Sequence, residues 1–257
     1  MKCYGSTADS KSASEGSTPS TFANRKYMIY YEPIPICEHD ALIGSNFNEK
    51  FAKEMNDYYA PYQNKSRTVN IGKETWEYAV SDSIKNAKWC GAGNNVVDVV
   101  TPRLDIDVKG ISCNNLQSIT SEASILQNLQ SSQDNFYVQL KKGDYEGLNE
   151  MFIEPFIRKV SKTNNLHVLC AIRNKEDGQV WYCLLKVIQR HNPNLIDEMV
   201  LRGTRNVDIP LIDPKYGRTY LQLGKRRLEL RLNMTEMRRY CVNSHSITLG
   251  NSLKEFM

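Results

Sequence analysis

Residues 94 to 112 read Asn-Asn-Val-Val-Asp-Val-Val-Thr-Pro-Arg-Leu-Asp-Ile-Asp-Val-Lys-Gly-Ile-Ser. Two β-branched runs, 95–100 and 104–111, flank Thr101-Pro102-Arg103, and this pattern predicts a β-hairpin. With the turn centred on Pro102 and Arg103, Asp98 and Asp107 are equally far from it and stand opposite each other. Cross-strand partners lie about 5 Å apart, close enough for two carboxylates to grip one metal ion. Strand side chains alternate between faces, so Lys109 shares the face of Asp107. Asp105 shares that face too and is an alternative second ligand; the register about Pro102 favours Asp107.

The flanking chain is predicted to enclose this hairpin in helices. Before it, an amphipathic helix runs from Thr75 to about Trp89, with Trp76, Val80, Ile84 and Ala87 as its apolar stripe. Glu77 sits at the edge of that stripe, where it either leans over the following strands or is a solvated helix carboxylate. After the hairpin, Ser118 to Leu129 reads as a further amphipathic helix, Asn135 to Lys141 as a strand, and Tyr145 to Val160 as a helix that Pro155 can kink. Upstream, Tyr27 to Tyr31 is a short strand closed by Pro33 and Pro35, and Ser45 to Tyr59 is a helix with Phe47, Phe51 and Met55 on one face.

Leu166 to Arg173 and Val180 to Gln189 are dense in apolar residues, as buried strands are. Asn174-Lys175-Glu176-Asp177-Gly178 joins them as a hairpin turn. Short strand-like runs follow at Val207 to Ile212 and Tyr220 to Leu232. Residues 1–24 are rich in Ser, Thr, Ala and Gly and too poor in apolar side chains to offset the entropy of ordering, so they read as a flexible arm. No internal repeat or linker divides the remainder. Residues 25–257 are therefore expected to form one α/β domain, a mixed central β-sheet flanked by helices.

Composition narrows the classes. Hydrophobic residues at 40% and charged residues at 24% are ordinary for a globular chain, and no apolar run approaches the roughly 20 residues that span a bilayer. No apolar secretory segment opens the chain, which suggests a cytoplasmic protein without membrane association. Seven scattered cysteines without a Cys-x-x-Cys pair argue against a zinc site or a disulfide framework and for reduced thiols. Residues 201–257 hold 11 Lys and Arg against 5 Asp and Glu, while the first 200 residues are near −2. A basic C-terminal part on a faintly acidic body suits a polyanionic partner.

Two carboxylates and a lysine on one strand face suit phosphodiester hydrolysis. Carboxylate oxygens are the hard ligands Mg²⁺ prefers. An ammonium beside the attacking water can orient it or stabilise the charge that develops on phosphorus. The order helix-Glu77, hairpin-Asp98, then Asp107-Val108-Lys109, with Gly72-Lys73-Glu74-Thr75-Trp76-Glu77 opening the helix, resembles the PD-(D/E)xK nuclease superfamily, and in particular the type II restriction endonucleases. The resemblance covers residues 72 to about 130, and Val97 stands where the motif has proline. It implies a restriction-endonuclease-like core. In that family the acids corresponding to Asp98 and Asp107 bind Mg²⁺ and the lysine corresponding to Lys109 serves the attacking water.

The activity implied is sequence-specific cleavage of double-stranded DNA to 5′-phosphate and 3′-hydroxyl ends, in a bacterial restriction-modification system. Such enzymes commonly act as homodimers, because two-fold protein symmetry matches two-fold sites. The basic C-terminal part would contact the DNA, with Arg202, Arg205, Arg226 and Arg227 as candidates for phosphate or guanine contacts.

Other chemistries find little support. His191-Asn192-Pro193-Asn194 lacks the helix that a ββα-metal site needs, and His167 in an apolar strand reads as a core side chain. No Gly-x-Ser-x-Gly elbow and no phosphate-cradling glycine loop occurs. The alternative from another class is a non-catalytic DNA-binding or regulatory protein, which accounts for the basic C-terminus but gives Asp98, Asp107 and Lys109 no role.

Overall fold

The hairpin forms in the expected register. Strand β3 (Val99–Val100) pairs antiparallel with β4 (Asp105–Cys113), Val99 with Ile106 and Val100 with Asp105, which sets Asp98 opposite Asp107. Thr101 clips the turn: its N–H and its hydroxyl both donate to the Leu104 carbonyl, at 3.0 and 2.9 Å, and its hydroxyl accepts from the Leu104 N–H at 3.0 Å. The computed structural model in which this is seen describes residues 27–59, 72–91, 97–113, 120–123, 143, 147, 154–174, 177–203, 206–222 and 227–247.

Around the hairpin lies a mixed seven-stranded sheet. Strand β2 (Lys88–Trp89) extends it beyond β3, and β6 (His167–Asn174) runs parallel to β4 on the other side. Next comes β7 (Gln179–His191), antiparallel to β6. The outer edge of β7 is shared by β1 (Tyr27–Pro33) and β12 (Val242–Ser246), which pair with its two halves. Every residue of β6 is buried, as expected of a central strand covered on both faces. The β6–β7 turn depends on Gly178, whose φ of +72° and near-contact with the Ile247 carbonyl leave no room for a side chain.

Helices α1 (Ile36–Ile43), α2 (Phe47–Tyr59) and α3 (Lys73–Ser83) cover one face of this sheet. Phe47, Phe51, Met55, Trp76 and Val80 pack there against Ile106, Val108, Leu169, Ala171 and Leu184. The opposite face carries Ile29, Tyr31, Val168, Cys170, Ile172 and Cys183 and meets a second, antiparallel sheet. That sheet has the order β5 (Thr120–Ala123), β11 (Arg227–Asn233), β10 (Gly217–Gln222), β9 (Asn206–Asp208), β8 (Val200–Arg202). Helix α4 (Glu154–Val160) adds Ile157 and Val160 to the same core, and α5 (Met234–Met237) follows β11. Among the described residues no helix is long and apolar enough to cross a membrane.

The mixed α/β class and the central sheet match the sequence reading, and several elements do not. The helix expected over Thr75–Trp89 stops at Ser83. Asn86 takes a left-handed φ of 60°, the chain reverses, and Lys88–Trp89 becomes strand. The helix expected over Ser118–Leu129 is strand at Thr120–Ala123, held by pairing with Leu230–Asn233, a partner more than 100 residues away in sequence. The run Tyr220–Leu232 resolves into two paired strands, and α1 and the second sheet were not anticipated. The N-terminal arm and the strand expected over Asn135–Lys141 lie outside the described residues.

Strand β4 is held under α3 by one close approach. A Cβ built on Gly110 would lie 2.2 Å from Trp76 Cδ1 and 2.3 Å from Nε1, so only glycine lets the indole rest on the strand. Gly110→Ala is expected to lower the free energy of unfolding by about 1–3 kcal/mol, measured by urea denaturation. A wild-type midpoint would show that Trp76 does not pack as described.

Candidate active site

Asp98 stands just before β3 and is fixed by its backbone on both sides. Its N–H donates to the Ile106 carbonyl at 2.9 Å, and its carbonyl accepts from the Cys90 N–H at 2.8 Å. Because β3 is only two residues long, the edge of β4 continues past it, and the Asp98 carboxylate takes the place of a strand carbonyl. Its Oδ2 accepts the Val108 N–H at 2.8 Å. That bond turns Oδ1 toward Lys73, whose Nζ is 3.2 Å away. Asp98 is 4% exposed.

Asp107 is 5% exposed. Ile106 and Val108 point into the helix-side core, so alternation sends Asp107 and Lys109 to the other face. The Lys109 ammonium bonds Asp107 Oδ1, with only 15% of the lysine side chain exposed. Burial raises the Asp107 carboxyl, Lys109 pulls it back, and the adjoining Asp98 raises it again by charge and by hydrogen bonding; the balance lies at about 7. Near neutral pH the Asp107 carboxyl is therefore present in both its protonated and its ionised form. Tyr31 on β1 lies near Asp107. It is fully buried, its hydroxyl has no hydrogen-bond partner among the described residues, and burial, then Asp107 and Cys170, push its phenol well above the ordinary value.

Glu77 comes from the helix side and is 1% exposed. Of its two readings, the solvated carboxylate is thereby excluded. Its Oε2 accepts the Trp89 indole N–H at 2.9 Å, and its Oε1 is 2.8 Å from Lys73 Nζ. Trp89 can reach it because the chain reverses after Ser83, the same event that ends the helix early. Lys73, which the sequence reading quoted without assigning a role, thus bridges Glu77 and Asp98. Partial burial works against its charge, but hydrogen bonds and charge pairing with the two acids outweigh that and raise the ammonium to about 12. The signal that points to it is local: Lys73 and Glu77 are four apart on a helix.

The other sequence candidates are placed differently. Asp105 accepts the Asn164 N–H at 2.7 Å and ties β4 to the loop after α4, away from the paired acids. Arg202 binds Asp208, Nε to Oδ2 at 3.0 Å, and Arg218 binds the same carboxylate through Oδ1 at 2.8 Å. Arg227 opens β11 opposite Gln222, while Arg205 and Arg226 lie outside the described residues. The four arginines are thus not brought into one described cluster. His167 is a satisfied core side chain, 2% exposed with Nδ1 2.7 Å from the Asn165 carbonyl. A groove of about 360 Å³ lies at the hairpin turn, between Leu42–Gly44, Ile84–Asn86 and Thr101–Arg103, and does not include the acids.

A metal would have to be held by the two aspartates. Among the described residues no group of three His, Cys, Asp or Glu side chains is arranged to hold a metal ion, and Glu77 is turned onto Trp89 and Lys73. Asp98 and Asp107 fit a hard dication as a pair of adjoining oxygen donors, and the Lys73 ammonium on Asp98 and Glu77 is a stand-in cation beside them. Comparison with known proteins returned no match to any family model, curated protein or solved structure.

Asp107 gives the metal-free protein a pH signature. Its folded value is raised above the ordinary aspartate value near 4, so its contribution to stability is complete below pH 4 and is lost as pH rises through 7. Between pH 5 and 8 in chelator the wild type should lose about 3 kcal/mol relative to Asp107→Asn, read from urea unfolding at both pH values. Parallel pH profiles for the two proteins would contradict a buried Asp107 with a raised carboxyl.

Proposed function

We propose that the chain is a Mg²⁺-dependent nuclease of the PD-(D/E)xK type, with a restriction-endonuclease-like core, that cleaves double-stranded DNA at a specific short sequence. The observation that carries this reading is the meeting of Asp98, Asp107 and Lys109 where β4 continues past β3, with Glu77 delivered from α3. Asp98, the β4 pair Asp107 and Lys109, and the α3 glutamate come from three separate parts of the fold, and burial of their carboxylates is unfavourable unless a cation uses them. The parallel pairing of β4 and β6 also supports it, since it anchors the motif strand along a fully buried neighbour.

In this reading Asp98 and Asp107 would hold Mg²⁺, which would supply charge neutralisation at the scissile phosphate. The Val108 N–H and the backbone bonds of Asp98 keep the first carboxylate from rotating. Asp107, whose carboxyl lies at about 7, would hold the metal in its ionised form, so metal affinity should fall as pH drops below about 7. Lys109, released from Asp107, faces the attacking water and stabilises the negative charge that builds on phosphorus. The water loses a proton to solvent as its oxygen bonds to phosphorus, the bond to the 3′ oxygen breaks, and that oxygen takes up a proton from solvent, leaving 5′-phosphate and 3′-hydroxyl ends. Twofold DNA sites would be met by a homodimer, and the basic C-terminal part supplies phosphate contacts.

The arrangement of Lys73 across Glu77 and Asp98 favours a second reading, in which the charges are a structural ion network and the chain is a non-catalytic DNA-binding protein. Incubation of unmodified phage DNA with the purified protein and Mg²⁺ separates the two. Discrete fragments are expected from wild type. Rates should be at least 10²-fold lower from Lys109→Ala and Asp107→Asn, with none in chelator. Cleavage that survives both substitutions would remove these residues from the chemistry, and gel retardation without cleavage would select the binding protein.

A further inference from the structure

We infer that Lys73 is an internal counter-cation, a lysine that occupies the acid cluster in the metal-free protein and must leave it before a divalent ion can bind. The inference rests on the metal reading above and specifies how that site is regulated. Lys73 Nζ lies 2.8 Å from Glu77 Oε1 and 3.2 Å from Asp98 Oδ1, so the ammonium sits on one of the two aspartates the metal would need. A dication bonded to Asp98 would share that oxygen's surroundings with a full positive charge, and at such separations like charges repel strongly.

The two sides of the contact differ in freedom. The acids cannot retreat: the Glu77 and Asp98 side chains are 2% and 6% exposed and are held by the Trp89 indole N–H and the Val108 N–H. The lysine can, because its side chain is 62% exposed at the first residue of α3 and sits on a flexible four-carbon stem. Displacement therefore moves Lys73 outward and leaves the acids in place. The binding-competent fraction of the protein is then the fraction in which Lys73 has swung away, and apparent metal affinity falls by that fraction. Lys73 sets a threshold ion concentration below which the acids remain closed by their own cation. The outward-swung ammonium would also be free for a phosphate on the same side.

The test is titration of DNA-free protein with Mn²⁺, by calorimetry and by thermal melting. Lys73→Gln is expected to bind Mn²⁺ about 10-fold more tightly than wild type, whereas Lys73→Arg, which keeps the cation, and Lys53→Gln, which removes a distant one on α2, should stay within about 3-fold. In chelator Lys73→Gln should melt below wild type, and at saturating Mn²⁺ the difference should close, because a displaced lysine no longer contributes. Equal or weaker Mn²⁺ binding by Lys73→Gln, or a melting difference that persists at saturation, overturns the inference while leaving the metal site standing. No Mn²⁺ binding by wild type or by Lys73→Gln overturns the metal reading and the inference with it.

Discussion

Strand β4 runs for nine residues, but its partner β3 accompanies it for only two. Among the described residues the Val108 N–H therefore has no strand carbonyl to meet, and a buried unpaired N–H costs about 1–3 kcal/mol. The Asp98 carboxylate resolves this by accepting the bond itself, and the rest of the site follows. One oxygen of Asp98 is fixed on the backbone, the other is aimed at the helix side, and the carboxyl group is held against Asp107 across the same edge. A longer β3 would satisfy Val108 with a carbonyl and leave Asp98 in the ladder. The site is what the sheet does where its hairpin is cut short.

Five ionisable groups then have to coexist with little water. Glu77, Asp98 and Asp107 are all 5% exposed or less, and Lys73 and Lys109 are the cations that reach them. Lys73 alone spans two of the three acids, and Lys109 pairs with the third, whose carboxyl burial and the adjoining Asp98 still hold at about 7. A network of this kind contributes little net stability, since desolvation roughly cancels attraction, and well-packed apolar side chains of similar size would serve the fold as well or better. Its position also matters: Trp76 rests on Gly110 of the same strand, and Tyr31 lies near Asp107. The scaffold around the acids is apolar and tightly packed, which fixes their positions at the edge.

The features legible in the sequence were those that local geometry determines. Equal spacing of Asp98 and Asp107 from Pro102 sufficed for the register, because Thr101 closes a tight turn and one residue of slip would turn every apolar side chain of β4 to the wrong face. The hairpin of β6 and β7 was equally plain from its turn residues and the apolar runs on either side. Glu77 was ambiguous because its burial depends on Trp89, and Trp89 reaches it only after the reversal at Asn86. The stripe that included Ile84 and Ala87 continued the helical period past the real helix end, since Ile84 is buried in the same core whether it is helix or loop. The strand at Thr120–Ala123 was unreadable for a different reason: its conformation comes from pairing with Leu230–Asn233, and no window of sequence around it contains that partner.

The same distinction bears on how the site should be weighed. Asp98, Asp107 and Lys109 could be proposed from spacing alone because they lie on one hairpin, and hairpins with an Asp-x-Lys are common. Spacing could not determine whether the acids are buried, and burial is what separates a charged surface strand from a tuned site. Lys73 sharpens the point further. A surface ion pair would leave its carboxylates in water, where they need no partner, whereas here the lysine is exposed and the acids are not. The acids are thus in the interior, and of the two cations Lys73 is the one left on an exposed side chain that can move. A structural ion network accounts for the pairing itself, while a cation site with a removable internal occupant would also account for the asymmetry of exposure.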